Sequence, residues 1–306
     1  MKKFVIGTLT IGFLFACNGK NEEKQGEIIK LETQKDRLSF ALGADQGHAI
    51  AKSGDPHYSK YNLDKIAEGF AIGMKDEDAF DESCQVTLRS LFGESGRELN
   101  EKYLDEGCQC LGKLSGVIFS KGWKKKGGFE YFDNAMVVKG FRASLYGGDT
   151  LVSRQDQMEL IRNLIEELNK SNGVKLISEA SKRPNTINID GLILETIQEG
   201  KGISPNATDK VQANYILMNA VGDTLENSFP YVLETGKEID PFQLDQVIQG
   251  WKIGMQKMKE GGKYKIYIPY ELAYGERGIF NPQRNAYDIQ PYENLQFYIE
   301  LNKVIK

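Results

Sequence analysis

The stretch Tyr267–Gly278 reads YIPYELAYGERG and sets three phenols, Tyr267, Tyr270 and Tyr274, within eight residues. A proline ends the strand-like run before it, and Gly275 and Gly278 open a loop after it. Phenols at the mouth of a loop either line a pocket, where a hydroxyl holds a carbonyl, or simply pack. Few other residues invite chemistry. The only histidines are His48 and His57, which argues against a His-based zinc site or a His-dependent triad. Beyond Cys17 the cysteines are Cys84, Cys108 and Cys110, an odd number, so at least one thiol is left over. Cys108-Gln-Cys110 has no histidine beside it, and buried structural cysteines are a better reading than a metal site. With 39 basic and 43 acidic residues, a net charge of -4 and no basic stripe, the chain does not look made for nucleic acid.

The elements around the phenols read as a sheet. Leu192–Ile197 is strand-like, and Val211, Ala213, Tyr215 and Leu217 alternate with other positions. Tyr264, Ile266 and Ile268 alternate with Lys263, Lys265 and Tyr267, and Leu295, Phe297, Ile299 and Leu301 with Gln296, Tyr298 and Glu300. Period two marks a sheet with one buried face. One short helix interrupts it, with Asp245 as a cap, Val247, Trp251, Met255 and Met258 on one face, and Gly261 as a stop. These elements predict an α+β domain of about 120 residues, 185–306.

The preceding region, 35–184, has helical texture. Leu63, Ile66 and Phe70, then Leu88, Leu91 and Phe92, then Met158, Ile161, Leu164, Ile165 and Leu168 fall at helical spacing. Ser153 with Asp156 offers a cap. A repeat runs through it: Leu38-Ser39 and Gly69-Phe70 are echoed by Leu114-Ser115 and Gly140-Phe141. Apolar stripes of this kind need partners. Further upstream, Met1-Lys2-Lys3 and the apolar run Phe4–Phe15 suit a signal peptide and fall short of a bilayer span. The run ends at Leu14-Phe15-Ala16-Cys17, which resembles a bacterial lipobox, although Phe15 is bulkier than the usual residue there. The resemblance implies a leader over 1–17 and a lipid on Cys17. Residues 18–34 are polar at their start and read as a flexible tether.

The C-terminal region resembles the FKBP-type peptidyl-prolyl isomerases. The resemblance rests on Asn188–Gly202, Phe242–Met255, Lys259–Gly278 and Asn294–Leu301, above all on V-I-x-G-W followed by E-L-A-Y-G. It implies a sheet wrapped on one short helix, preceded here by an all-α region. That region is similar to the helical dimerisation part of the macrophage infectivity potentiator class, through Leu38-Ser39-Phe40, Gly69-Phe70 and Leu176–Pro184. The resemblance further implies a prolyl pocket with Tyr274 at its mouth and Trp251 as its floor. Val247 and Ile248 stand beside the floor, Tyr215, Phe242 and Phe297 form the wall, and Ile289 lies near the flap. Tyr267 and Tyr270 have no counterpart and read as packing residues. No cofactor or metal is implied. The implied partners are proline-containing polypeptide clients, macrolide-type pocket inhibitors, a membrane through the Cys17 lipid, and a second copy in a homodimer.

Rotation about an X-Pro bond meets a barrier of about 18–20 kcal/mol. The twisted bond loses resonance and polarity, so an apolar cleft favours it over the planar form without covalent chemistry. Two positions depart from the family. Leu225 and Glu226 stand where Phe-Asp is usual, so Glu226 joins Tyr274 and Trp251 as a candidate catalytic residue that keeps the charge, and Leu225 is a candidate wall residue. The loop after Gly275 is also longer than usual. These departures keep an alternative in view: a membrane-tethered periplasmic chaperone or binding module with this fold and weak or no isomerase activity.

Overall fold

A computed structural model of the protein describes residues 29–93, 98–147, 151–236 and 239–306. The leader, Cys17 and the tether as far as residue 28 lie outside the described residues. The helical region comprises α1 (Gln34–Ala51), α2 (Leu63–Lys75), α3 (Glu82–Phe92), α4 (Leu104–Lys125), α5 (Asn134–Leu145) and α6 (Arg154–Ala180). Five of these open on a side-chain oxygen that accepts a backbone N–H three residues on: Thr33, Asn62, Asp81, Asp133 and Ser153. Each such cap contributes about 1 kcal/mol.

The helices pair crosswise. α1 lies along α5, and α2 lies along α4. The first helix of each repeat unit therefore packs on the second helix of the other unit. Glycines allow the backbones to touch. A Cβ at Gly43 would collide with the Val137 carbonyl and one at Gly140 with the Phe40 carbonyl; likewise Gly112 meets the Ile66 carbonyl and Gly69 the Gln109 carbonyl. Phe70 and Phe141, the aromatic halves of the two Gly-Phe pairs, stack face to face with centroids 3.8 Å apart and planes at 4°.

This packing corrects the register of the repeat. Gly43 and Gly112 occupy equivalent places, so Ser39 answers to Cys108 and not to Ser115. Ser39 and Cys108 are both fully buried. Each meets the capping residue of the opposite unit's second helix: Ser39 Oγ accepts from the Asp133 N–H at 2.8 Å. Burial pushes the Cys108 thiol up, and a hydrogen bond with the Asn62 backbone partly offsets it. Helix packing fixes the glycines, whereas a Leu-Ser dipeptide recurs by chance. The apolar stripes of α2, α5 and α6 pack into one core within the chain. Cys84 and Cys110 form a disulfide that joins α3 to α4, and Cys108 is the thiol left over.

In α6 the buried positions are Gln157, Leu164, Leu168, Gly173, Leu176 and Ala180. Met158, expected in this stripe, is 58% exposed. Gln157 takes the inward place instead, donating from Nε2 to the Val152 carbonyl at 2.9 Å.

After α6 come β1 (Thr186–Ile189), β2 (Leu192–Gln198), β3 (Lys210–Asn219), β4 (Thr224–Asn227), α7 (Phe229–Thr235), β5 (Phe242–Gln243), α8 (Gln249–Met255), β6 (Gly262–Ile268), β7 (Ile279–Asn281), β8 (Ala286–Ile289) and β9 (Leu295–Ile305). The main sheet is antiparallel in the order β1-β2-β6-β9-β3-β4, with β5 on β3. Its inner face packs Leu194, Ala213, Ile266, Phe297 and Ile299 against Trp251 and Met255 of α8.

Four details differ from the sequence reading. Asp245 does not cap α8; Ile248, in extended conformation, precedes it without a side-chain cap. The chain is still turning there, with Gln246 N–H bonded to the Gln243 carbonyl at 3.0 Å. The helix ends at Met255, before Met258 and Gly261. A second short helix, α7, follows Ser228 with proline in its first turn and Gly236 at its left-handed end. The outer face of the sheet is also partly buried. Ile193 and Tyr267 are register partners and pack against Leu176 and Ala180 of α6.

The helix contacts give a stability test. Gly69→Leu should destabilise the chain by about 3 kcal/mol, since the added side chain must displace a backbone. Gly122→Ala, which meets nothing within 4 Å, should leave it unchanged or slightly more stable. Urea unfolding followed by circular dichroism reads both.

Candidate active site

Strand β3 delivers Tyr215, β9 delivers Phe297, β5 brings Phe242, and α8 raises Trp251 between them. The four rings form one cluster. Trp251 stands edge-on to Tyr215, Phe242 and Phe297, with centroids 5.3, 5.5 and 5.2 Å away. Tyr215 also meets Phe242 at 6.0 Å and Phe297 at 6.2 Å. Such edge-to-face pairs stabilise by about 0.5–1.5 kcal/mol each beyond their burial, so the cluster is stiff. Trp251 and Phe297 are buried, while Tyr215 and Phe242 are half-buried and expose a face. Trp251 Nε1 is buried and has no hydrogen-bond partner among the described residues.

The remaining predicted residues surround this cluster. Val247, Ile248 and Tyr274 pack on the same core half-buried, and Ile289 is buried in it. Glu226 lies on β4 and accepts a hydrogen bond from the Tyr215 hydroxyl. Leu225 is 37% exposed and does not belong to the apolar core cluster, so of the predicted wall it is the residue the structure sets apart. Tyr267 packs under α6, and Tyr270 meets Tyr292 edge-on at 5.2 Å.

Sequence reading missed two supports. Ser228 holds Tyr215 in place: the Tyr215 N–H donates to Ser228 Oγ at 2.8 Å, and the Ser228 N–H donates to the Tyr215 carbonyl at 3.0 Å. A serine before Phe-Pro is a cap signal for α7, and that signal could have found it. The long loop after Gly275 is a hairpin of β7 and β8, paired from Ile279–Ile289 to Asn281–Ala286. Phe280 and Tyr287 meet edge-on at 5.2 Å along it, and Asn285 turns it with φ of 49°.

The electrostatics suit neutral chemistry. Burial pushes the Tyr215 phenol up, reinforced by its hydrogen bond to Glu226 and that carboxylate's charge. Burial, with the Glu226 charge second, also pushes Tyr274 up. Both phenols stay protonated donors across the neutral range. Among the described residues no three His, Cys, Asp or Glu side chains converge as a metal set. The arrangement gathers four aromatic rings with Val247, Ile248, Ile289 and Tyr274 packed around them, and Glu226 on the exposed strand β4 bonded to Tyr215.

The sheet, its crossing helix and this aromatic cleft define an FKBP-like α+β domain. Residues 201–302 match the family model of the FKBP-type peptidyl-prolyl cis-trans isomerases. It is 38% identical over 111 residues to the FKBP-type peptidyl-prolyl cis-trans isomerase FkpA of Escherichia coli (strain K12). That match covers 36% of this chain and 37% of the relative, so it spans little more than a third of that protein's length. The outer membrane protein MIP of Legionella longbeachae is 25% identical over 281 residues, covering 92% of this chain and 90% of the relative. A crystal structure of FkpA from Escherichia coli is 24% identical, with 67% of this chain and 97% of that chain covered and a TM-score of 0.39.

The raised phenols are open to titration. An unperturbed tyrosine ionises near pH 10. A phenol whose folded value is raised adds stability that is complete below that pH and lost as pH rises through the folded value. Ultraviolet titration of the folded chain should therefore leave Tyr215 and Tyr274 un-ionised at pH 10. Tyr215→Phe with Tyr274→Phe should remove no ionising group from the curve below that pH. Loss of early-titrating absorbance in that variant would show the two phenols to be unshifted.

Proposed function

We propose that this protein is a peptidyl-prolyl cis-trans isomerase that acts on X-Pro bonds of exported polypeptides. The observation that carries this reading is the four-ring cluster around Trp251. The indole offers the pyrrolidine ring a flat seat, and Val247, Ile248 and Ile289 keep the surroundings apolar. The Tyr274 hydroxyl holds the substrate carbonyl while the bond twists. The Tyr215 hydroxyl donates to Glu226 on the exposed strand β4. A low-polarity site favours the twisted amide over the planar one, so binding alone lowers the barrier. Macrolide-type compounds that mimic the twisted imide should compete for the same seat.

Leu225, partly exposed at the rim, favours keeping a second reading in the test: a binding module that grips clients and turns them over slowly. In a proline-peptide exchange assay the unmodified chain should accelerate isomerisation. Trp251→Ala should lower kcat/KM by roughly a hundredfold, the cost of losing a positioning surface. Tyr274→Phe should lower it about tenfold or less, since one hydrogen bond is lost. Leu225→Phe with Glu226→Asp should raise the rate. A folded but inactive natural chain, made active by that double change, would establish the binding module instead.

The chain is exported and tethered by a lipid on Cys17. Three features support this: the apolar run ending at Ala16-Cys17, the Cys84–Cys110 disulfide, which suits an oxidising compartment, and a relative named as an outer membrane protein. Among the described residues no helix is long and apolar enough to cross a membrane. Cys17→Ser should move the protein from the membrane fraction to the soluble fraction; retention in the membrane would exclude the lipid. Because the repeat units satisfy each other within one chain, the detergent-free Cys17→Ser protein should sediment as a monomer.

A further inference from the structure

The long helix α6 presses on the loop that frames the cleft. Asn169, Lys170 and Gly173 lie on one face of α6, at spacing i, i+1 and i+4, and all three meet residues 291–294. Asn169 Nδ2 donates to the Pro291 carbonyl at 2.9 Å. Lys170 Nζ sits 3.6 Å from the centre of the Tyr292 ring. Gly173 gives way to the side chain of Asn294, which a Cβ there would strike. α6 is itself braced from behind, where Asn172 Nδ2 donates to the Lys126 carbonyl at 2.9 Å.

From the loop the contacts run on to Tyr274. Asn294 Oδ1 accepts the Tyr270 N–H at 3.0 Å, and the Tyr292 N–H donates to the Gly275 carbonyl at 3.1 Å. Gly275 N–H in turn donates to the Tyr270 carbonyl at 2.8 Å. Tyr274 is thus gripped on both sides by groups that touch α6. Tyr292 has φ of 57°, a left-handed conformation that a bulky side chain rarely takes. Its ring is held between Lys170 on one side and the edge of Tyr270 on the other.

We propose that α6 positions Tyr274: Lys170 and Gly173 of the helical region, acting through Tyr292 and Asn294, set the geometry of the isomerase cleft. This rests on the isomerase reading above. Neither residue touches substrate. Both act by fixing the turn at Tyr270–Gly275, so loosening α6 loosens the lip of the cleft while the aromatic floor stays in place. Turnover should fall more than substrate affinity, because Tyr274 acts on the twisted bond whereas the floor binds the ring.

The test uses the full chain with Lys170→Ala, Gly173→Ala, Lys170→Arg and, as a control on the same helix, the 72% exposed Val174→Ala. Amide hydrogen exchange at Tyr270 and Tyr292 is measured beside kcat and KM on a proline peptide. Lys170→Ala and Gly173→Ala should speed exchange at those two amides and lower kcat about tenfold, the order that a small misplacement costs, with KM little changed. Lys170→Arg keeps a cation over the ring and should restore both readouts. The proposal is overturned if exchange at Tyr270 and Tyr292 stays as in the unmodified chain, or if Val174→Ala has the same effect. An inactive unmodified chain would sink the isomerase reading alone, because the exchange data still decide whether α6 holds the turn.

Discussion

Tyr267 is wholly buried on the face of the sheet that alternation assigns to solvent. Its hydroxyl donates to Glu195 at 2.7 Å and accepts from Arg183 at 2.6 Å, and its ring sits under Leu176 and Ala180 of α6. A buried phenol without partners would destabilise the fold by a few kcal/mol; with both, it becomes a fixed joint. That joint decides where the 27-residue α6 can go. The N-terminal part of α6 closes the helical core through Leu164 and Leu168, and its C-terminal part covers the sheet. One rigid rod therefore belongs to two cores. The contacts that α6 makes to residues 291–294 depend on it.

The four-ring cluster was legible in the sequence, for a physical reason. Its residues are aromatic and fall at fixed offsets from strand and helix signals, so chemistry and pattern point to the same positions. Tyr215, Phe242, Trp251 and Phe297 come together as expected. Leu225 stays apart because the short strand β4 is exposed along its length. Support from the backbone was less legible. Ser228 and α7 were missed because a seven-residue helix gives too few turns for a period to show. Asp245 looked like a cap because aspartate suits that role, but the chain is still in the turn after β5 at that point, and α8 starts only after Ile248.

The helical region shows the opposite balance. Its stripes and the Ser153 cap were readable, but the partners of those stripes were not, because periodicity says that a face is buried and not against what. The repeat held the answer in its glycines. Gly43, Gly69, Gly112 and Gly140 are places where one backbone meets another, and their spacing carries the register that a Leu-Ser pair cannot. Met158 follows from the same limit: a window of apolar residues does not reveal that Gln157 has taken the inward position with a carbonyl to bond.

Crosswise pairing within one chain also changes the energetics of the helical arms. Two separate chains that join lose translational and rotational freedom, at a cost of several kcal/mol, and their pairing weakens with dilution. Two units on one chain are held at an effective concentration set by the linking segment, in the millimolar range for short links. Here the link is stiffened by the Cys84–Cys110 bond between α3 and α4. The helical framework is therefore complete at any protein concentration, and α6 has a fixed base from which to hold the cleft.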